Sequence, residues 1–351
     1  MGELTRSIDL LLDARKRGYA VPAYNVFSYE STKTVLRAAE QAGTPVILMH
    51  HFSYGIDLET FAVLTRELGR QSKVPFSIHL DHAPDYEECI RAIRAGFSSV
   101  MIDGSPHPFD ENVKMTQDVV RAARACGVDV EGEIGHVGFN DVDRTLFTRP
   151  EEVTKFLELT EVDSLAISIG NSHGVYFEEP RIEQELLKTI NKISPVPLVL
   201  HGTSGIPDEQ LSEAVANGIV KTNIATEYMM YMADAMKEAL TGDNPPPTAP
   251  KLMMGIEEKV SNLLKEKIDF ENLLKLKVVS VDNYNYIFEY DDRRILRRIQ
   301  FYSNTKPKVN DNVYVSRDIL EEDMLAYGHI TNIEELSNKI ISIIERNDTK
   351  I

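Results

Sequence analysis

Residues 75–105 read PFSIHLDHAPDYEECIRAIRAGFSSVMIDGS, and the segment divides into a strand, a helix and a second strand. The run 75–82 is apolar and β-like and opens with Pro75, where a missing N–H is tolerated. Residues 86–95 place apolar side chains at three-to-four spacing, the helical period. Gly96 follows, where a left-handed C-cap is wanted, and 98–105 returns to a β-like run. Strand, helix and strand in this order make a parallel pair joined by a right-handed crossover. Both strands end in polar residues, Asp81 and His82 in the first, Asp103 and Ser105 in the second.

The unit recurs along the chain. Further β-like runs at 21–27, 45–51, 129–136, 164–171, 197–202 and 220–226 bring the predicted strands to eight. Helix-period stretches at 31–42, 58–70, 112–125, 150–159, 183–193 and 208–216 separate them, and another at 227–240 follows the eighth strand. Strict alternation of eight such units predicts an α/β fold, a (β/α)8 TIM barrel. A Gly/Asn/Pro-rich linker, 241–250, interrupts the pattern, and an amphipathic helix at 251–274 completes a barrel domain of residues 1–275. From 277 the chain is rich in Val, Ile, Tyr and Phe, with turns at 282–283, 291–292, 303–304 and 310–311. That spacing predicts four or five short antiparallel strands. We expect a small C-terminal mostly-β domain over 276–351, a barrel or sandwich ending in a helix at 332–345.

Composition narrows the partners. The 351 residues carry a formal charge of −17, which argues against non-specific nucleic-acid binding. Arg293, Arg294, Arg297 and Arg298 form a basic cluster, but residues 277–328 hold 8 basic and 9 acidic side chains, so no nucleic-acid module is expected. No run approaches the ~18 uninterrupted apolar residues of a membrane span, and the first residues lack the apolar core of a secretion signal. Cys89 and Cys126 are the only cysteines, which fits a reducing cytoplasm and neither a disulfide framework nor a cysteine zinc site.

In a parallel barrel the functional residues gather at the C-terminal ends of the strands. Here Asn25, His50 and His51, Asp81 and His82, Asp103 and Ser105, Glu131 and Glu133, Asn171 and His173, His201 and Ser204, and Asn223 and Thr226 end strands one to eight in turn. Three histidines on strands three, six and seven, His82, His173 and His201, suit an open Zn²⁺ site, since neutral imidazole is a zinc ligand and three of them leave a coordination position free. Asp81, beside the first, is a candidate acid/base, and Asn25 on the same face is a candidate substrate contact. His79 and His107 are expected to be hydrogen-bonding residues outside the site. Gly202-Thr203-Ser204-Gly205 and Asn223-Ile224-Ala225-Thr226 are turns leading into helices after strands seven and eight, the usual barrel phosphate site.

Five motifs stand in order: HLDHAPDYEECIRAIRAGFSSVMIDGS (79–105), VEGEIGHVG (130–138), GNSHGVY (170–176), HGTSGI (201–206) and KTNIATE (221–227). Across residues 4–270 the chain resembles the class II, zinc-dependent ketose-bisphosphate aldolases, closest to the branch with tagatose- and fructose-1,6-bisphosphate aldolases. Residues beyond 276 do not share the resemblance. It implies a lyase that releases dihydroxyacetone phosphate and an aldehyde from a phosphorylated ketose. It implies zinc on His82, His173 and His201, with Glu133 and Asp103 able to approach the metal. Asp81 would handle the C4 hydroxyl proton, and Gly174, Gly202, Ser204, Asn223 and Thr226 would cradle the ketose phosphate. A monovalent cation (Na⁺ or K⁺) and a homo-oligomer, dimer or tetramer, are further implications.

Three stretches depart from the family pattern. Where Gly-Gly-x-Glu-Asp is usual, residues 138–143 read GFNDVD, so Asp141 stands in place of the mobile-loop glutamate as the second catalytic candidate. The usual Asp-Pro-Arg reads Ala249-Pro250-Lys251, which offers Lys251 to a second phosphate as a point charge rather than a bidentate fork. Residues 49–53, MHHFS, replace a Gln-x-Ser pattern. Two other readings stay open at this level: a Zn-hydroxide hydrolase on the same barrel, and a degenerate aldolase-like scaffold or sensor.

Overall fold

The structure of the chain is a computed structural model that describes residues 2–282, 285–290, 293–298 and 312–316, with side chains described to Asn272. Eight parallel strands close into a barrel: β1 (Val21–Asn25), β2 (Val46–His50), β3 (Phe76–Ala83), β4 (Ser99–Ile102), β5 (Asp129–Ile134), β6 (Ser164–Ile167), β7 (Leu198–Leu200) and β8 (Ile219–Ile224). Each pairs with the next, and β8 returns to β1 with Val21 opposite Lys221. The covering helices are α1 (Ser7–Arg17), α2 (Tyr29–Ala42), α3 (Leu58–Gln71), α4 (Tyr86–Ala95), α5 (Phe109–Cys126), α6 (Pro150–Thr160), α7 (Gln184–Ile193), α8 (Asp208–Ala216) and α9 (Thr226–Thr241). The fold expected from the alternating pattern is the one observed.

Nearly every residue of the barrel strands is buried, because helices cover the outer face and side chains fill the interior. The helices begin where side chains satisfy their first N–H groups. Ser28 and Ser31 form a reciprocal capping box on α2, Asp57 accepts from Thr60 N–H on α3, and Asp85 accepts from Glu88 N–H on α4. Gly96 closes α4 at φ 91°, and Arg66 on α3 donates to the carbonyls of Ala95 and Gly96 there.

The strands are shorter at their C-terminal ends than the apolar runs suggest: β4 stops at Ile102 and β7 at Leu200. Asp103, His173 and His201 therefore lie beyond the ladder, where their backbone follows loops. Helix α1, absent from the sequence expectation, is amphipathic despite its many charges. Its Leu10, Leu11 and Ala14 pack on Val21, Ala23, Ile47, Met49 and Val220, under the N-terminal ends of the strands.

Helix α10 (Ala249–Glu271) ends three residues before the expected 274, and β9 (Leu273–Asp282) starts at once. The reason is visible in Leu274-Lys275-Leu276-Lys277-Val278, whose alternation has the strand period. With β10 (Asn285–Tyr290), β11 (Arg293–Arg298) and β12 (Asn312–Ser316), β9 forms an antiparallel sheet in the order β11-β10-β9-β12. The chain divides into two compact units, Met1–Ile268 and Asp269–Ile351. The turns expected at 291–292, 303–304 and 310–311, residue 283 of the turn expected at 282–283, and the helix expected at 332–345 lie outside the described residues. Among the described residues no helix is long and apolar enough to cross a membrane.

Asp129, at the start of β5, gives the barrel a pH-dependent stability. Its carboxylate accepts from Ile8 N–H at 2.9 Å and lies 3.6 Å from Arg6. Burial raises its pKa to about 6, with the Ile8 N–H opposing and the charge of Asp163 adding to the rise. An unfolded aspartate titrates near ~3.9, so between about pH 4 and 6 the folded chain keeps a proton that the unfolded chain has lost. This contribution to stability is present below pH 4 and disappears as the pH rises through 6. Asp129→Asn, which retains an acceptor for Ile8, is expected to raise the thermal midpoint at pH 7.5 and to leave it unchanged at pH 4. An equal shift at both pH values would refute the assignment.

Candidate active site

The polar cluster at the C-terminal end of the barrel begins with an irregularity in β3. Its register against β4 shifts between Leu80 and Ala83, and His82 adopts φ 48°, a left-handed conformation that costs of order 1 kcal/mol for a residue with a Cβ. In that conformation Nδ1 of His82 donates to Asp103 Oδ2 at 2.7 Å, and Nε2 lies 2.8 Å from Nδ1 of His201. His173, on the loop after β6, completes the group: ring centroids are 4.9 Å from His82 to His173, 4.7 Å from His82 to His201 and 5.9 Å from His173 to His201. One nitrogen from each of the three lies within 4.8 Å of the others, and His82, Asp103 and Glu133 form a second such set.

Behind His201 runs a fully buried chain of charges. Lys221 on β8 donates from Nζ to Glu131 Oε2 at 2.9 Å, and Nε2 of His201 donates to Glu131 Oε1 at 2.8 Å. Burial disfavours the Glu131 carboxylate, but Lys221 and the bond from His201 outweigh it and hold its pKa well below the usual range. An ionised Glu131 fixes the proton of His201 on Nε2, which turns the lone pair of Nδ1 toward His82 and His173.

The donor set fits a metal ion. Glu133 Oε2 is buried without a hydrogen-bond partner, 3.8 Å from His201 Nδ1. Burial, then the charge of Asp103, raises the Glu133 carboxyl to about 8. For His82, burial disfavours a charge, but Asp81, Asp103 and Glu133 outweigh it and raise its pKa to about 10, so a proton fills the gap between its Nε2 and Nδ1 of His201. A buried carboxylate oxygen left without a partner beside three imidazoles has the charge and the free lone pair to meet a cation. Three imidazoles beside carboxylates are ligands suited to zinc.

Beside the histidines, Asp81 is held from two other strands. Asn25 Nδ2 on β1 donates to its Oδ2 at 2.9 Å, and Asn223 Nδ2 on β8 donates to its Oδ1 at 3.2 Å. Burial opposes ionisation of Asp81, yet His82, His201 and Lys221 keep its pKa well below the ordinary value. Asn223 Oδ1 is buried with no partner. On the neighbouring loops Ser204 Oγ accepts from Glu227 N–H at the start of α9, which leaves the hydroxyl proton free to be donated. Thr226 opens α9, and Gly202 and Gly174 adopt φ 59° and 85°, conformations that bring their loops close to the cluster.

The family of class-II fructose-bisphosphate aldolases matches residues 5–273. The chain belongs to that family. Among solved structures, it is 32% identical to the YdjI aldolase of Escherichia coli K12, with a TM-score of 0.70 over 76% of this chain and 97% of that one. The fructose-bisphosphate aldolase Fba of Campylobacter jejuni shares the fold at 24% identity, with a TM-score of 0.66 over 77% of this chain and 96% of that one. The protein is an aldolase, a carbon–carbon lyase on a TIM barrel.

Not every candidate of the aldolase joins the cluster. Asp141 is exposed and accepts from Val142 N–H, without a described contact to the histidines. Lys251 is exposed in the first turn of α10. The loop that carries Asp141 is instead joined to the loop after β6, since His173 N–H donates to Gly138 O and Asn140 N–H to His173 O, each at 2.7 Å. His79 bonds Ser99 and His107 lies 3.4 Å from Glu111, in keeping with roles outside the site. The sequence reading missed the pairing of Lys221 with Glu131; His51, expected at the end of strand two, stacks its ring on Phe52 at 4.4 Å and lies 6.4 Å from His82. For Lys221 the signal was present, a charge inside a strand of a parallel barrel, where both faces are covered.

Removing one partner of a buried pair strands the other charge, a loss of about 3–5 kcal/mol. Lys221→Met is expected to lower unfolding stability in urea by that order, and the double variant Lys221→Met/Glu131→Gln to lose less than Lys221→Met alone. Equal losses in the two proteins would show that the pair is not coupled.

Proposed function

We propose that the aldolase cleaves a phosphorylated ketose to dihydroxyacetone phosphate and an aldehyde, with Zn²⁺ held by His82, His173 and His201. The observation that carries the reading is the convergence of three imidazoles from β3, β6 and β7 beside a carboxylate, Asp81, gripped by two amides. When bound, zinc supplies the positive charge that an enediolate needs at the C2 and C3 oxygens, in place of a Schiff-base lysine.

The chain's own residues do the rest. Asp81 accepts the C4 hydroxyl proton as the C3–C4 bond breaks, and the bonding electrons stay with C3. Each Asp81 oxygen already accepts one amide N–H, so the carboxylate is ionised and its free lone pairs are directed. Asn223 Oδ1, buried and unpartnered, is placed to accept from a substrate hydroxyl. The Ser204 hydroxyl, the N–H groups of Gly202 and Gly174, and Thr226 at the start of α9 receive the phosphate, where the helix dipole favours an anion.

Glu133 and Asp103 lie where a metal that moves within the site would meet them. Asp141 and Lys251 serve the aldehyde end in this reading, Asp141 as proton carrier and Lys251 as a counter-charge. A hydrolase is not supported, because the first strand ends Tyr24-Asn25-Val26 and its amide is committed to Asp81. Free thiols at Cys89 and Cys126 fit a cytoplasmic enzyme.

A coupled assay for dihydroxyacetone phosphate across ketose mono- and bisphosphates tests the reading. Cleavage of at least one of them, lost with EDTA and restored by zinc, is expected; full activity in the chelated protein would sink it. Asp81→Ala is expected to lower kcat by roughly 10²- to 10⁴-fold with zinc content unchanged. Unaltered turnover in that variant would remove Asp81 from the mechanism.

A further inference from the structure

Two of the three histidines sit on separate loops, and a single phenol joins those loops. Tyr176 Oη accepts the N–H of Ser172 at 2.8 Å and donates its proton to the carbonyl of Gly202 at 2.8 Å. Ser172 immediately precedes His173, and Gly202 immediately follows His201. A second tie runs parallel, because Asn171 Nδ2 donates to the carbonyl of His201 at 3.0 Å. The two loops touch as closely as backbones allow: a Cβ on Gly202 would stand 2.2 Å from Ser172 O, and one on Gly205 would stand 3.3 Å from the Tyr176 ring. On its other side His173 is held by Gly138 and Asn140, so its position is set from two directions.

We propose that Tyr176 is a positioning residue. It fixes the distance between His173 and His201, and it aligns the backbone of 202–204 against the phosphate, without touching substrate itself. The phenol both accepts from one loop and donates to the other; phenylalanine would leave a buried N–H and a buried carbonyl unpaired. The proposal rests on the reading that the histidines hold zinc and that 202–204 bind phosphate.

Tyr176→Phe in the full chain tests it. Zinc affinity, measured by competition with a chromophoric chelator, is expected to fall about 10- to 100-fold, the usual effect of removing an outer support of a ligand. At saturating zinc, KM for a cleaved ketose phosphate and the calorimetric Kd of dihydroxyacetone phosphate are expected to rise severalfold. Turnover should stay within about twofold, because Asp81 is held from β1 and β8, on neither of these loops. Unchanged zinc affinity with unchanged KM, or a loss confined to kcat, would overturn the assignment. A wild-type chain that binds no zinc overturns the metal reading itself, and the proposal with it. Should the variant not fold, amide exchange in the wild-type protein decides: Ser172 N–H is expected to be protected, and exchange as fast as that of an exposed loop amide would refute the tie.

Discussion

A lysine with no solvent exposure in the centre of a barrel is the constraint from which the rest of this site follows. Lys221 cannot remain charged there without a carboxylate, and Glu131 cannot remain ionised without a cation. Their pairing spans the barrel from β8 to β5, so it is satisfied only when the eight strands have closed in register. Glu131 then has one oxygen left, and it accepts the Nε2 proton of His201. The tautomer of a histidine at the mouth is thus decided by a lysine on the neighbouring strand β8, through a buried carboxylate across the barrel on β5.

The same logic extends outward. His201 presents Nδ1 to His82, whose left-handed backbone is the strain that the site stores, and Asp103 receives the other face of that imidazole. Asp81 is held by two amides, while the positive charge of His82, 3.9 Å away, and of the groups behind it keeps it ionised. The two carboxylates differ in their hydrogen-bond partners, Lys221 and His201 for Glu131 and the amides of Asn25 and Asn223 for Asp81.

Much of this was legible in the sequence, for reasons that can be named. The strand and helix periods are local, so eight units between residues 21 and 240 read directly, and the rule that parallel barrels act at strand ends placed His82, His173, His201 and Asp81 together. Pairings between distant strands carry no local mark, which is why the partner of Lys221 was not read. Helix α1 was missed because its charged face hides a narrow apolar stripe of Leu10, Leu11 and Ala14. The end of α10 was misjudged because Leu273 and Leu274 suit helix and strand alike, and only the alternation that follows them shows the change of period. Asp141 and Lys251 took their expected roles from motif position, and the structure leaves both exposed, without described contacts to the histidines.

The two halves of the site are built on different physical terms, and this bears on how the enzyme selects a substrate. On the side of β7 and β8 the groups offered are backbone N–H, a helix N-terminus and short hydroxyls, with Ser204 accepting from Glu227 N–H, Thr203 donating to Asn223 O and Tyr176 donating to Gly202 O. On the side of β2 and β5 the groups at hand are side chains with open space around them: Phe52 and Phe139 are largely exposed, Phe52 against His51 and Phe139 5.3 Å from His173. Aromatic rings flanking a metal-binding cluster provide apolar faces and no fixed charge, so they constrain shape rather than phosphate content. On the proposed reading, in which the β7–β8 side receives the phosphate, that half would fix the reacting carbons, and the half with exposed rings would select the aldehyde end by shape.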